Sequence, residues 1–172
     1  MKRRTLLGGL VALPFLEWHQ AIARDIGDEA AATGFTVLRK PKAEWKKLLE
    51  PARYEVLFEE ATERPGSSPL NQEKRDGVFI CAACYLPLFD AEHKYESGTG
   101  WPSFTQPLEG RMGTKRDFKL VWPRIEYHCA RCGGHQGHVF DDGPPPRGER
   151  WCNNGLALLF VPQDKPLPPL RS

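Results

Sequence analysis

The sequence predicts a mainly β domain, an antiparallel sandwich or barrel-like sheet with short helices packed outside it. Three observations lead there. From Gly77 onward the apolar residues come in short runs, rich in aromatic and β-branched side chains and divided by turns. Gly and Pro number 16 each in 172 residues, which favours frequent turns over long helices. Two Cys-x-x-Cys pairs, at 81–84 and 129–132, fall within this β-patterned region, and such pairs close small folds around a metal.

The N-terminus reads as an export signal. Lys2, Arg3 and Arg4 precede an apolar run from Leu6 to Leu16, which is too short to span a bilayer. Glu17, Trp18 and His19 end the run, and Ala21-Ile22-Ala23 gives the small-x-small pattern of a cleavage site. Arg3-Arg4 before Thr5-Leu6-Leu7 resembles the twin-arginine type, whose cargo is already folded and metal-loaded when it crosses. Residues 1–23 are expected to be removed, leaving a periplasmic protein that starts near Arg24 and has no stable membrane association.

Residues 24–40 read as a polar leader, and the domain proper spans 41–162. Pro41 suits the first turn of a helix carrying Trp45, Leu48 and Leu49 at helical spacing. A second short helix is expected over 52–61, with Tyr54, Leu57 and Phe58 on one face. The breaker-rich loop 62–69 follows. Strand signals then come at 78–80, 86–89, 119–122, 125–128, 138–140 and 156–161. Residues 163–172 form a Pro-rich tail, expected to be loose. A formal charge of +2 without a basic stripe gives no case for nucleic acid.

Of five cysteines, Cys81, Cys84, Cys129 and Cys132 form the two pairs. Two intervening residues let both thiolates of a pair face one metal, and Gly133-Gly134 lets backbone N–H groups turn toward the sulfurs. Two knuckles complete an S₄ shell, the structural arrangement preferred by zinc. Disulfides, a redox Cys-x-x-Cys and an iron site compete with this reading. Two matched knuckles with no βαβ pattern around either favour one closed, structural Zn²⁺.

Cys152 is left over, in Arg150-Trp151-Cys152-Asn153-Asn154 at the entrance to the last apolar strand. A lone cysteine is either buried and inert or a reactive thiol. The run His135-Gln136-Gly137-His138-Val139-Phe140-Asp141-Asp142 favours the second. Arg150 or a protonated histidine would stabilise the thiolate, the nucleophilic form, and His135 or His138 would supply a proton to a leaving oxygen. For His135, three residues past Cys132, a spare metal ligand is the competing role. Trp101, between Gly100 and Pro102, suits a wall for a methyl thioether, although a core tryptophan in a loop fits equally well.

GTGWPSF at 98–104, CARCGGHQGHVFDDGP at 129–144 and RWCNN at 150–154 resemble the B-type methionine sulfoxide reductases, which act on the R epimer. CAAC at 81–84 with PLFD at 87–90 resembles that family's first zinc knuckle, and the likeness covers roughly 41–162. It implies a small β-sandwich of two antiparallel sheets holding one structural Zn²⁺ on Cys81, Cys84, Cys129 and Cys132. It implies Cys152 as nucleophile, with His135, His138 and Asn154 placing the substrate and its sulfoxide oxygen. Trp101 would receive the methyl group, with Arg150 and Phe140 beside it. The substrate would be methionine-R-sulfoxide in peptides or proteins, and the product on Cys152 a sulfenic acid.

Thr99 stands where some members carry a resolving cysteine, and Trp151 where tyrosine is usual. The sulfenic acid is therefore expected to be reduced directly by a thioredoxin-like or small thiol, on a monomeric enzyme. Two other classes compete. A zinc-knuckle binding module would explain the four cysteines but not Cys152, the histidines or Trp101. A thiol peroxidase would not need the aromatic wall.

Overall fold

The computed structural model describes residues 34–118 and 123–172. The export signal at 1–23, most of the leader and the strand expected at 119–122 lie outside the described residues. The chain divides into two compact units, Met1–Thr36 and Val37–Ser172, and every element below belongs to the second.

Among the described residues, two short helices come first. α1 spans Lys42–Leu48 and starts one residue after Pro41, whose carbonyl accepts from the Glu44 and Trp45 amides. Trp45 and Leu49 are buried, whereas Leu48, expected on the same face, points to solvent. α2 spans Pro51–Glu59, with Pro51 opening its first turn. It buries Tyr54, Val56, Leu57 and Phe58, and Phe58 stacks on Trp45 at 5.2 Å, locking the two helices together. α2 stops where Glu60 turns left-handed and the Ala61 amide reaches back to the Glu55 carbonyl.

Nine strands follow among the described residues: β1 Gly77–Cys81, β2 Pro87–Asp90, β3 Lys94–Tyr95, β4 Ser103–Phe104, β5 Met112–Asp117, β6 Arg124–Cys129, β7 His135–Phe140, β8 Arg150–Asn153 and β9 Leu158–Pro162. They form two antiparallel sheets, a three-stranded one in the order β2-β1-β9 and a six-stranded one in the order β3-β4-β8-β7-β6-β5. This is the two-sheet sandwich that the family resemblance implies.

Two features depart from the sequence reading. Cys152 does not stand at the entrance to the last strand: it lies within β8, a central strand of the large sheet, while β9 crosses to the small one. Strand β5 had no visible signal, because its residues are mostly polar or half-exposed.

Aromatic rings fill the space between the sheets. Phe89 stacks on Phe104 at 4.0 Å, Phe79 meets Phe104 edge-on at 5.0 Å, and Tyr127 meets Trp151 at 4.9 Å. Phe79, Phe89, Phe104 and Tyr127 are fully buried, and each such ring removes about 150–250 Å² from water. Trp151 thus closes one end of the core with its aromatic body.

The opposite face of the large sheet carries Cys152. Strand register lines up Ser103, Cys152, His138, Glu126 and Lys115 as one row across β4, β8, β7, β6 and β5. Side chains paired directly across antiparallel strands share a face, so this row lies on one side. α2 covers part of the outer face, where Lys115 pairs with Glu60 at 2.6 Å just past the helix end.

The tail is not loose as expected. The Gln163 amide donates to Asp76, and the Arg171 amide donates to the Cys84 carbonyl at 3.1 Å. Arg131 Nη1 donates to the Arg171 carbonyl at 2.7 Å, and the Arg171 guanidinium lies 4.2 Å over the Tyr85 ring, whose hydroxyl accepts from it. Residues with no apolar pattern are held here by backbone hydrogen bonds and a cation–π contact.

Candidate active site and metal centre

The metal centre is built by two similar knuckles. In the first, the Tyr85 amide donates to the Cys81 carbonyl at 2.9 Å with Tyr85 at φ +65°. In the second, the Gly133 amide donates to the Cys129 carbonyl at 2.9 Å with Gly133 at φ +72°. Both chains turn through the left-handed region just after the second cysteine, which glycine adopts freely and tyrosine only at a cost of about 1–2 kcal/mol. The turn at Tyr85 was not visible in the sequence.

The four sulfurs lie within 4.8 Å of one another. Cys81 and Cys132 Sγ are 3.7 Å apart, and Cys84 and Cys129 Sγ 3.5 Å apart. A tetrahedron with metal–sulfur bonds of about 2.3 Å has sulfur–sulfur edges of about 3.8 Å. A disulfide would need about 2.05 Å. The donors therefore fit one tetrahedral metal ion and exclude the disulfide alternative in this arrangement. His135 is not part of the cluster.

Strand β7 carries the histidines, and a bulge decides where they point. Tyr127 pairs with Gly137 but the next residue, His128, pairs with His135, so Gln136 is an extra residue. Without it, three-residue spacing would put His135 and His138 on opposite faces. With it they share one face, their rings 5.5 Å apart. The extra residue has its own partners. Gln136 is fully buried, its Nε2 lies 3.6 Å from Cys81 Sγ, and its carbonyl accepts from the Asn154 amide and from Asn154 Nδ2. The bulge thus joins the cysteine cluster to the end of β8.

Cys152 opens into a cavity of about 110 Å³ together with His138, Trp101, Phe140, Asn154 and Thr62. Of the residues singled out in the sequence, Cys152, His138, Asn154, Trp101 and Phe140 therefore converge. His135 and Arg150 do not line the cavity. His135 is buried, its Nδ1 lies 2.9 Å from Glu126 Oε1, and the direction is wrong for a hydrogen bond, leaving both ring nitrogens without one among the described residues. Arg150 is buried behind Phe140, 4.3 Å from its ring centre, and gives Asp142 a two-pronged hydrogen bond at 2.7 and 2.9 Å.

Burial pushes the Cys152 thiol up from its ordinary value, and the nearby Arg150 charge and a Thr99 hydrogen bond pull it only partly back. The sequence expected the cationic neighbour to win. It does not, because the thiol is half-buried and Asp142 opposes the Arg150 charge. Burial also pushes His138 down, against its 2.8 Å hydrogen bond to Asp117 Oδ2, which Arg124 shares at 2.6 Å. The resting site therefore holds a neutral thiol opposite a neutral imidazole. The Asp117 bond marks Nε2 as the nitrogen carrying the proton.

Several residues that shape the site gave no sequence signal. Glu63 is buried in the loop after α2, and its carboxylate accepts from the Gly155 and Leu156 amides at 2.6 and 2.9 Å. Its amide donates to Asn154 Oδ1 at 3.1 Å and its carbonyl accepts from Trp101 Nε1 at 3.2 Å. One residue from outside the sheet thus fixes two that line the cavity. Asp117, which holds His138, and Arg124, which shares its carboxylate, also gave no signal.

A tetrahedral cysteine centre tying together a two-sheet sandwich, with a solitary thiol under an aromatic wall, defines a metal-braced thiol protein. The SelR domain profile matches residues 49–162, and the chain belongs to that family. It is 48% identical over 126 residues to the peptide methionine sulfoxide reductase MsrB of Pseudomonas entomophila, covering 73% of this chain and 96% of that one. It is 46% identical over 129 residues to the MsrB of Methanosarcina barkeri, covering 74% and 91%. It is 48% identical over 127 residues to the MsrB of Pseudomonas savastanoi, covering 73% and 97%.

Proposed function

We propose that the protein reduces methionine-R-sulfoxide in peptides and proteins to methionine, with Cys152 as the attacking group. The observation that carries this is the placement of Cys152 across from His138 in a cavity walled by Trp101 and Phe140. A sulfoxide side chain has a polar oxygen and an apolar methyl, and the cavity offers a side for each. Trp101 and Phe140 take the methyl and sulfur, while Asn154 Nδ2, and His138 when a proton is added at Nδ1, supply the polar edge that receives the oxygen.

The chemistry balances without an added acid. The Cys152 sulfur attacks the sulfoxide sulfur, the sulfur–oxygen bond breaks, and oxygen passes to Cys152. The thiol's own proton ends on that oxygen. Methionine leaves, and Cys152 remains as a sulfenic acid. A thiol then condenses with it, releasing water and forming a mixed disulfide, and a second thiol frees Cys152. The four other cysteines are gathered in the metal cluster, and Thr99 faces Cys152 with a hydroxyl. The reductant is therefore external, a thioredoxin-like protein or a small thiol.

The metal is zinc, held by Cys81, Cys84, Cys129 and Cys132, and it braces the fold without touching substrate. Residues 1–23 direct export by the twin-arginine route and are removed, placing the monomeric enzyme in the periplasm. An intact mass beginning at Met1 on exported protein would end that part of the proposal. The central test is turnover of R- and S-methionine sulfoxide peptides by the wild type and by Cys152→Ser. Turnover confined to the R epimer and lost in Cys152→Ser is expected, and equal activity in both proteins would overturn the reading.

A further inference from the structure

The loop that begins at Thr62 separates two depressions. Thr62 lines the cavity over Cys152 and also a second, larger groove of about 530 Å³. Leu156, Leu159 and Phe160, all half-buried, form the apolar floor of that groove. Its charged groups are unequally committed. Arg53 on α2 donates through Nη1 to the Leu156 and Leu158 carbonyls. Glu63 turns inward, both carboxylate oxygens occupied by backbone amides. Arg75 stands 5.2 Å over Phe160 with its charge paired to Glu73. Arg64 is exposed on the rim, and among the described residues its side chain has no hydrogen bond or ion pair.

We propose that this groove receives the peptide segment next to the oxidised methionine and favours an acidic side chain there, opposite Arg64. The inference rests on the reductase reading above and adds a sequence preference to it. A chain that inserts its sulfoxide beside Cys152 runs over Thr62, and its neighbouring residues enter the adjoining groove. The apolar floor takes the aliphatic parts of the segment, and the uncommitted guanidinium selects the charge.

The test compares methionine-R-sulfoxide peptides with Glu, Gln or Lys beside the oxidised residue, on either side, and a blocked single methionine-R-sulfoxide. A small dithiol serves as reductant. The wild type is expected to give the highest kcat/KM with Glu, a preference that shrinks as salt is raised. Arg64→Glu should reverse the Glu-over-Lys preference, changing the ratio by about tenfold, and leave the blocked single residue unaffected. A uniform loss across all substrates, or no change in the ratio, would overturn the proposal. So would a raised KM for a thioredoxin-like protein with unchanged peptide ratios, because the groove would then serve the reductant. Failure of the wild type to reduce even the blocked residue would strike the reductase reading itself.

Discussion

The proposed chemistry turns on Cys152, and its environment makes a specific statement about pH. Burial holds the thiol neutral beyond the range of an ordinary cysteine, so the rate of alkylation should rise with a midpoint above the free-thiol value of about 8.5. Arg150→Met removes one of the groups that favours the thiolate. The alkylation midpoint should move further up, and kcat/KM should fall by about tenfold or more. A midpoint below neutrality in the wild type would contradict the burial argument. His138 titrates in the opposite sense, its folded-state value pushed below the ordinary 6.5. The stability that its neutral form contributes is present above pH 6.5 and is lost as pH falls from there through the folded value. Chemical denaturation of wild type and His138→Asn between pH 5 and 8 checks the sign: the wild type should lose stability faster toward acid.

Glu63 belongs to the same scale. Glu63→Gln leaves one amide oxygen where two carboxylate oxygens accepted backbone hydrogen bonds, so the 155–156 turn loosens. A loss of about 1–3 kcal/mol is expected from the weakened buried hydrogen bonds. Because Glu63 also holds Asn154 and Trp101 through its backbone, the peptide KM should rise as well. Trp101 fluorescence on substrate addition would register that loosening, whereas an unmoved KM would confine Glu63 to stability.

At the scale of elements, the β7 bulge separates what the sequence made legible from what it did not. The strands around 78–80 and 86–89 were readable as short apolar runs bounded by turns, and the one around 125–128 because it alternates apolar and polar residues. β5 was not, since a strand of polar, half-exposed residues carries no apolar period. The cysteine spacing fixed the metal ligands, and the motifs pointed to the residues around Cys152. The relation between His135 and His138 needed the register, because a bulge inserts a residue without marking it in composition. The buried fate of His135 depends on long-range packing in the same way, whereas Arg150 turns to the exposed Asp142 across the β7–β8 connection. Gly137 shows how tightly the register is set. A Cβ there would come within 1.9 Å of the Cys152 carbonyl oxygen. Gly137→Ala should therefore cost at least about 3 kcal/mol, seen as a Tm lower by roughly 6–12 °C, with activity falling as β8 shifts.

On the scale of the whole molecule, the metal centre links the two sheets. Cys81 ends β1 in the small sheet, Cys129 ends β6 in the large one, and the remaining two ligands lie just beyond them in the knuckles. Removing the ion would leave four buried thiols with no common partner. Chelation should abolish the cooperative thermal transition, and adding metal back should restore it. A metal-free protein with an unchanged Tm would show that the aromatic core alone holds the sheets together.

The C-terminal segment gives this architecture a practical consequence. Because Arg171 rests against Tyr85 and Cys84, anything fused beyond it emerges next to the thiolates. A polyhistidine purification handle placed there would bring competing imidazoles to the ligand shell. Preparations with and without the handle should then differ in bound metal per chain, and removing the handle by proteolysis before metal loading should erase the difference.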